Sequence, residues 1–427
     1  MYNSLLYKNY PFDRPRYSDE SRKVVNETPM TATHSDVHRE VRRTVREFVT
    51  REIVPIADAL DNADAEIPMP VIRQMAELGY FGLIFPERYG GMGLDTLAMA
   101  IVAEELSRGW LSVGSVMTRM IITGTLLLES GTDEQRERFL PRVASGELLT
   151  AAAFTEPDAG SDTGSIKCRA VRDEAGGDFV LRGEKTWCTF ANRAHILTVL
   201  ARTDPDPSLR HKGLSMFLVE KEPGDQFHPP ELSGGAIPTI GYKGMKSYSL
   251  AFDGYPVPAA NLLGGQEGRG FYQLMPTYEY ARIQTAARAV GVAQAALDAA
   301  LRYSQERIQF GRPISDHQVI RHKLAHMATD IEAARQLCYY AAQIKDVGGR
   351  CDLEAGYAKV FAAEMAERVT SEAMQVFGGY GYSREYPVQR FWRDARVFRI
   401  FEGTSEIQYE VIARRLLEKH GGTGGER

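Results

Sequence analysis

The 427-residue sequence predicts an α+β protein built in three successive segments: helical, then β, then a bundle of four long helices. Three observations carry this. Apolar residues recur at helical spacing up to about residue 149. Between about Thr150 and Gly264 they collect into short β-rich runs broken by Gly, Pro and Asp. From Phe271 onward the helical period returns in long pieces. The expected segments are 1–32, an N-terminal extension; 33–149, a helical domain; 150–264, a β domain; and 265–427, a four-helix bundle.

Taken in order, Tyr2 to Pro29 mixes Lys8, Arg14 and Arg16 with Asp13, Asp19 and Glu20 and has no apolar core segment. That pattern fits neither a secretory signal nor a mitochondrial presequence. It leaves a leader from an early start, with Met30 as an alternative beginning, or an arm without catalytic consequence. Val41, Val45, Phe48, Val49 and Ile53 mark a helix that Pro55 is expected to stop. Val71, Met75 and Leu78 repeat the pattern before Gly79, and Thr132 with Gln135 forms a capping box for a helix over 135–143. Phe179 to Leu181, Ile196 to Leu200 and Leu214 to Val219 read as strands. Helices are expected over 278–307, 352–377 and 407–420. A fourth carries the stripe Ile320, Leu324, Met327, Ile331, Ala334, Cys338 and Ala341, which reads as a bundle seam.

The net charge of −5 gives no electrostatic case for a nucleic-acid or anionic-membrane surface, and no apolar run is expected to cross a bilayer. Cys168, Cys188, Cys338 and Cys351 are scattered without a C-x-x-C pair, which fits a reducing, cytoplasmic compartment. His322 and His326 stand four apart without a third ligand, so no metal site is read there. Gly264 to Gly270 lacks the strand–helix context of a phosphate loop and reads as a linker, and there is no dinucleotide-binding fingerprint.

The most informative residue is Glu402, in Phe401-Glu402-Gly403-Thr404-Ser405-Glu406. A carboxylate on a loop before a helix, with Gly beside it for close approach, has the makings of a general base; taken alone, it reads better as a solvated helix cap. It keeps company with Phe154-Thr155-Glu156-Pro157-Asp158-Ala159-Gly160-Ser161-Asp162, with Lys185-Thr186-Trp187-Cys188-Thr189, and with Gln375-Val376-Phe377-Gly378-Gly379-Tyr380. These blocks, in this order, resemble the acyl-CoA dehydrogenase family from about His38 to Leu417.

The resemblance implies an N-terminal helical domain, a middle β-barrel domain and a C-terminal four-helix bundle, with FAD as cofactor. It makes Glu402 the base and Phe401 an apolar wall that raises its pKa by desolvation. Arg282 would lie near the base and hold part of its charge in check. Ala281 occupies the alternative base position of a family subset and cannot abstract a proton. Phe154, Thr155, Gly160 and Ser161 would meet the flavin edge and diphosphate, Trp187 and Thr189 the ring. Arg307, Gln309, Phe310, Gln375, Gly379, Thr404 and Glu406 would meet the diphosphate and adenosine half, reaching into a neighbouring subunit of a homotetramer, a dimer of dimers. Ser161, Glu279 and Gly403 would join Arg282 in holding substrate, Glu279 at the pantetheine amides. Electron-transfer flavoprotein is the implied electron acceptor.

Three stretches, over 241–248, 281–294 and 350–356, resemble the family branch that acts on methylsuccinyl-CoA. Such a substrate carries a second carboxylate, which needs a buried cation. Arg119 is the candidate, the alternatives being a structural arginine or one snorkelling to the surface. Butyryl-, isobutyryl- and 2-methylbutyryl-CoA are the other substrates in view. A fold relative that binds DNA or protein instead of catalysing is the reading from another class, and the negative charge and the intact Glu402 count against it.

Overall fold

The computed structural model describes residues 35–173 and 176–421. The expectations for Tyr2 to Pro29 therefore lie outside the described residues. Helix α1 (Asp36–Phe48) runs into a π-helical turn, Val49–Ile53, and straight on into α2 (Val54–Asn62). Pro55 does not stop the chain as expected. It sits in the first turn of α2 directly after the π-helical turn, where the irregular ladder lets the helix run on past it. Helix α3 (Met69–Glu77) buries Val71, Ile72 and Met75, and Leu78 lies just beyond it, partly exposed.

Helix α4 (Thr96–Gly109) leads into α5 (Leu111–Ser130), and both are buried along most of their length. By length and composition α5 could cross a membrane, but it is interrupted by Arg119 and lies inside the protein. Helix α6 (Asp133–Ala144) starts at the expected capping box, Thr132 accepting from Gln135 N and Gln135 returning to Thr132 N.

The middle segment is one seven-stranded sheet. Its strands are β1 (Thr150–Ala153), β2 (Arg169–Arg172), β3 (Phe179–Thr189), β4 (Ile196–Arg202), β5 (Leu214–Glu220), β6 (Leu232–Ile237) and β7 (Ser247–Val257). One edge of β4 pairs with β5; the other takes β1 in parallel, then β2 at Arg202, and β3, β7 and β6 follow. No pairing among the described residues joins β6 back to β5, so the ladder of this β domain is open there.

Helix α7 (Gly270–Glu306) begins eight residues before the expected Tyr278 and takes Pro276 into its first two turns. A short hairpin of β8 (Ile308–Gln309) and β9 (Arg312–Pro313) separates it from α8 (Gln318–Asp346). Then come α9 (Asp352–Phe377), α10 (Val388–Ala395) and α11 (Ser405–Lys419). Helix α7 lies between α8, α9 and the N-terminal α4, and α11 covers α9. Met327, Ile331, Ala334, Cys338 and Ala341 of the expected stripe are buried in this seam.

Candidate active site

Glu402 and Gly403 link the turn at Arg396–Arg399 to α11 with successive left-handed backbone angles, φ +54° and +84°. Such a conformation is strained for a glutamate, by about 1–3 kcal/mol, and free for glycine. Hydrogen bonds hold it. The Gly403 carbonyl accepts from Lys359 Nζ on α9 and from Gln408 Nε2 at 3.3 Å, and Thr404 caps α11 by accepting from Ile407 N.

The carboxylate this loop delivers is enclosed by cations. Glu402 Oε1 accepts from Arg119 Nη2 of α5 at 2.6 Å. Oε2 accepts from Arg288 Nη2 of α7 at 2.6 Å and from Thr285 Oγ1. Arg288 is completely buried; its Nη1 donates to Ser115 Oγ at 2.8 Å and its guanidinium lies over the Phe401 ring at 5.1 Å. Burial pushes the Glu402 carboxyl up, but Arg288, Arg119 and the Thr285 hydroxyl outweigh it and hold the group below the usual carboxylate range. The raised pKa expected from the Phe401 wall is thus reversed, because that wall also carries a guanidinium. Lys359, fully buried, is pushed down to about 8 by burial, against the pull of Glu402.

Arg282 acts on Lys359 beside the base loop and makes no hydrogen bond or ion pair with Glu402 among the described residues. It is half-buried, stands over the Tyr278 ring at 5.9 Å, and feels Asp352 and Glu279. Thr285 and Arg288, about one turn apart on α7, both reach the Glu402 carboxylate. That same spacing is the signal by which the sequence could have revealed Arg288. Glu279, expected at the pantetheine, has both oxygens engaged, by Lys345 Nζ at 2.7 Å and Cys351 N at 3.1 Å. Arg119 is buried with its Nε unpartnered, and it lies against Glu402 itself.

The residues expected around a flavin form two groups. On the sheet, the ladder between β3 and β7 slips between Lys185 and Cys188, and Trp187 emerges at φ +58°, 56% exposed. Thr186 N donates to Thr155 O at 2.9 Å, tying the β1–β2 loop to this bulge. Gly160 and Ser161 on that loop are exposed, and a Cβ at Gly160 would meet nothing nearer than Thr155 Cγ2 at 4.0 Å. Thr189 Oγ1 bonds Ser247 Oγ at 2.8 Å, and half-buried Phe154 gives its carbonyl to Lys185. Sequence reasoning passed over the pair beneath them: buried Lys185 Nζ donates to Glu156 Oε1 at 2.7 Å, and Glu156 also accepts from Lys167 N and Cys168 N.

At the far end of α7 a cavity of about 510 Å³ is lined by Tyr303, Arg307, Gln309, Phe377, Gly379 and Tyr380, among others. Phe310 beside it is 93% exposed, Gln375 and Glu406 are exposed, and Arg307 stacks on Tyr380. A large exposed aromatic, an uncrowded glycine and an arginine-lined cavity are the surfaces a flavin dinucleotide needs, so these residues fit the group.

The chain matches the acyl-CoA dehydrogenase N-terminal domain over residues 35–147, the middle domain over 151–255 and the C-terminal domain over 268–417. It is 50% identical to the (2S)-methylsuccinyl-CoA dehydrogenase of Cereibacter sphaeroides, across 88% of this chain and 69% of that one. Among solved structures it resembles butyryl-CoA dehydrogenase of Megasphaera elsdenii, with a TM-score of 0.85, 35% identity, and coverage of 91% and 100%. A chain from the electron transferring flavoprotein structure of Acidaminococcus fermentans has a TM-score of 0.86, 37% identity and the same coverage. The three matched domains, the helix–sheet–helix order they share and the half-identical relative place this chain in the acyl-CoA dehydrogenase family, whose members are oxidoreductases acting on CH–CH bonds.

Proposed function

We propose that the protein desaturates a short, branched acyl-CoA bearing a distal carboxylate, (2S)-methylsuccinyl-CoA to mesaconyl-CoA, with electron-transfer flavoprotein as acceptor. The supporting observation is the charge at the base: one carboxylate, Glu402, is faced by two buried arginines, Arg119 and Arg288. Arg288 is anchored by Ser115 and Thr285 and suffices as a counter-ion. That leaves Arg119 as a surplus buried cation, which a dicarboxylic substrate would neutralise. The half-identical relative is named for that activity.

Acyl-CoA dehydrogenases are FAD flavoproteins. The loop of Phe154, Thr155, Gly160 and Ser161, the exposed Trp187, and Thr189 would hold the ring half. Arg307, Gln309, Phe310, Gln375, Gly379, Thr404 and Glu406 would hold the remainder across a homotetramer interface. When bound, FAD accepts the β hydride, which no side chain can do. Glu402 takes the α proton, and its backbone N–H donates to the thioester oxygen as negative charge develops there. Lys359 and Gln408 fix the loop that carries both groups. Glu279, Arg282, Gly403 and Ser161 would lie along the acyl-CoA. The four free, buried cysteines fit a cytoplasmic setting.

The test is anaerobic flavin reduction across a panel of acyl-CoAs. Methylsuccinyl-CoA should bleach the flavin fastest. Faster reduction by butyryl-, isobutyryl- or 2-methylbutyryl-CoA would move the substrate to the monocarboxylic class, and a colourless protein that takes up no FAD would favour a binding role. Oxygen uptake with and without an artificial acceptor separates a dehydrogenase from an oxidase.

A further inference from the structure

We propose that Arg119 is a substrate-released latch on the base: it holds the Glu402 carboxylate in an ion pair until a distal carboxylate takes its guanidinium. The inference rests on the dicarboxylate reading and adds a mechanism of selectivity to it. Three observations converge. Glu402 Oε1 is occupied by Arg119 Nη2 at 2.6 Å and Oε2 by Arg288 and Thr285, so both oxygens of the proposed base are engaged. Arg288 has other fixed partners on the buried side, Ser115 Oγ at 2.8 Å and Thr285 Oγ1 at 3.0 Å, so it stays in place. Arg119 is different: the only side-chain carboxylate it pairs with among the described residues is Glu402, and its buried Nε has no partner. An incoming carboxylate can therefore take up Nε and Nη2 together, a bidentate arrangement that Glu402 does not make.

The consequence is selectivity in the chemical step as well as in binding. The charges that face Glu402 are Arg119 from α5, Arg288 with the Thr285 hydroxyl from α7, and Lys359 from α9. Once a substrate carboxylate neutralises Arg119, Glu402 keeps one close arginine, burial counts for more, and its basicity rises. An acyl-CoA without that carboxylate binds over a latched base and is turned over slowly. Proton transfer remains from the α carbon to Glu402 in both cases.

The test compares Arg119→Met and Arg119→Lys holoenzymes with wild type, using butyryl-CoA and methylsuccinyl-CoA. Arg119→Met should raise kcat for butyryl-CoA by about tenfold and move the acid limb of its pH profile up by about one unit, while methylsuccinyl-CoA turnover falls about a hundredfold. Arg119→Lys, still cationic, should keep butyryl-CoA slow. Infrared spectra of the holoenzymes, referenced to Glu402→Gln, should show that carboxyl protonating at a higher pH in Arg119→Met than in wild type. Butyryl-CoA turnover that is unchanged or lower in Arg119→Met, at full flavin content, would overturn the latch. If Arg119→Met does not fold, Arg119→Gln is read by the same criteria. Failure of wild type to use methylsuccinyl-CoA would sink the substrate reading alone, since the butyryl-CoA arm still decides the latch.

Discussion

Glu402 adopts a backbone conformation that a glutamate rarely holds, and the residue after it must be glycine. A Cβ on Gly403 would collide with Gln408 Nε2 at a φ of +84°. Gly403→Ala should therefore displace the base while costing only about 1–2 kcal/mol of stability. Turnover is expected to fall about a hundredfold with a denaturant midpoint little changed; wild-type turnover would show that the loop tolerates a side chain. How far this was legible in the sequence depends on locality. Glu402 and Gly403 stand together in one short run and could be found. Arg119, Arg288 and Lys359 lie 283, 114 and 43 positions before Glu402, and only the fold brings them to one carboxylate.

At the level of elements, the helical segments meet around a buried charge network. Glu104 on α4 accepts from Arg42 of α1 at 3.2 Å, and from Arg335 at 3.1 Å and Tyr339 at 2.5 Å, both on α8. Burial pushes the Glu104 carboxyl up, yet Arg335 and Arg42 bring it down to about 2. A carboxyl whose folded pKa lies below its unfolded value stabilises the protein above the unfolded pKa. That stability is lost as pH falls from about 4.5 toward about 2. Glu104→Gln should cost about 3 kcal/mol at pH 7 and flatten the acid side of the stability profile, read from denaturant midpoints across pH. An unchanged midpoint and slope would remove the network from the account. The capping box of α6 and the seam of α8 were readable because they are local periodic signals. The run-on at Pro55 was not, since it is settled by tertiary packing.

For the molecule as a whole, the proposed site is assembled from segments distant in sequence: α5 supplies Arg119, α7 supplies Thr285 and Arg288, and the loop before α11 supplies Glu402. The proposed tetramer follows the same logic on the outside, since Phe310 and Tyr382 are too exposed, at 93% and 85%, to have an internal packing role. Phe310→Asp should lower both the sedimentation coefficient and the bound FAD; loss of neither would leave that aromatic outside any interface. The central claim is that Glu402 removes the α proton, and its most direct test is anaerobic flavin reduction by saturating substrate in Glu402→Gln. The expected result is a rate about 10³-fold below wild type with the flavin spectrum intact. Reduction at the wild-type rate would contradict the account.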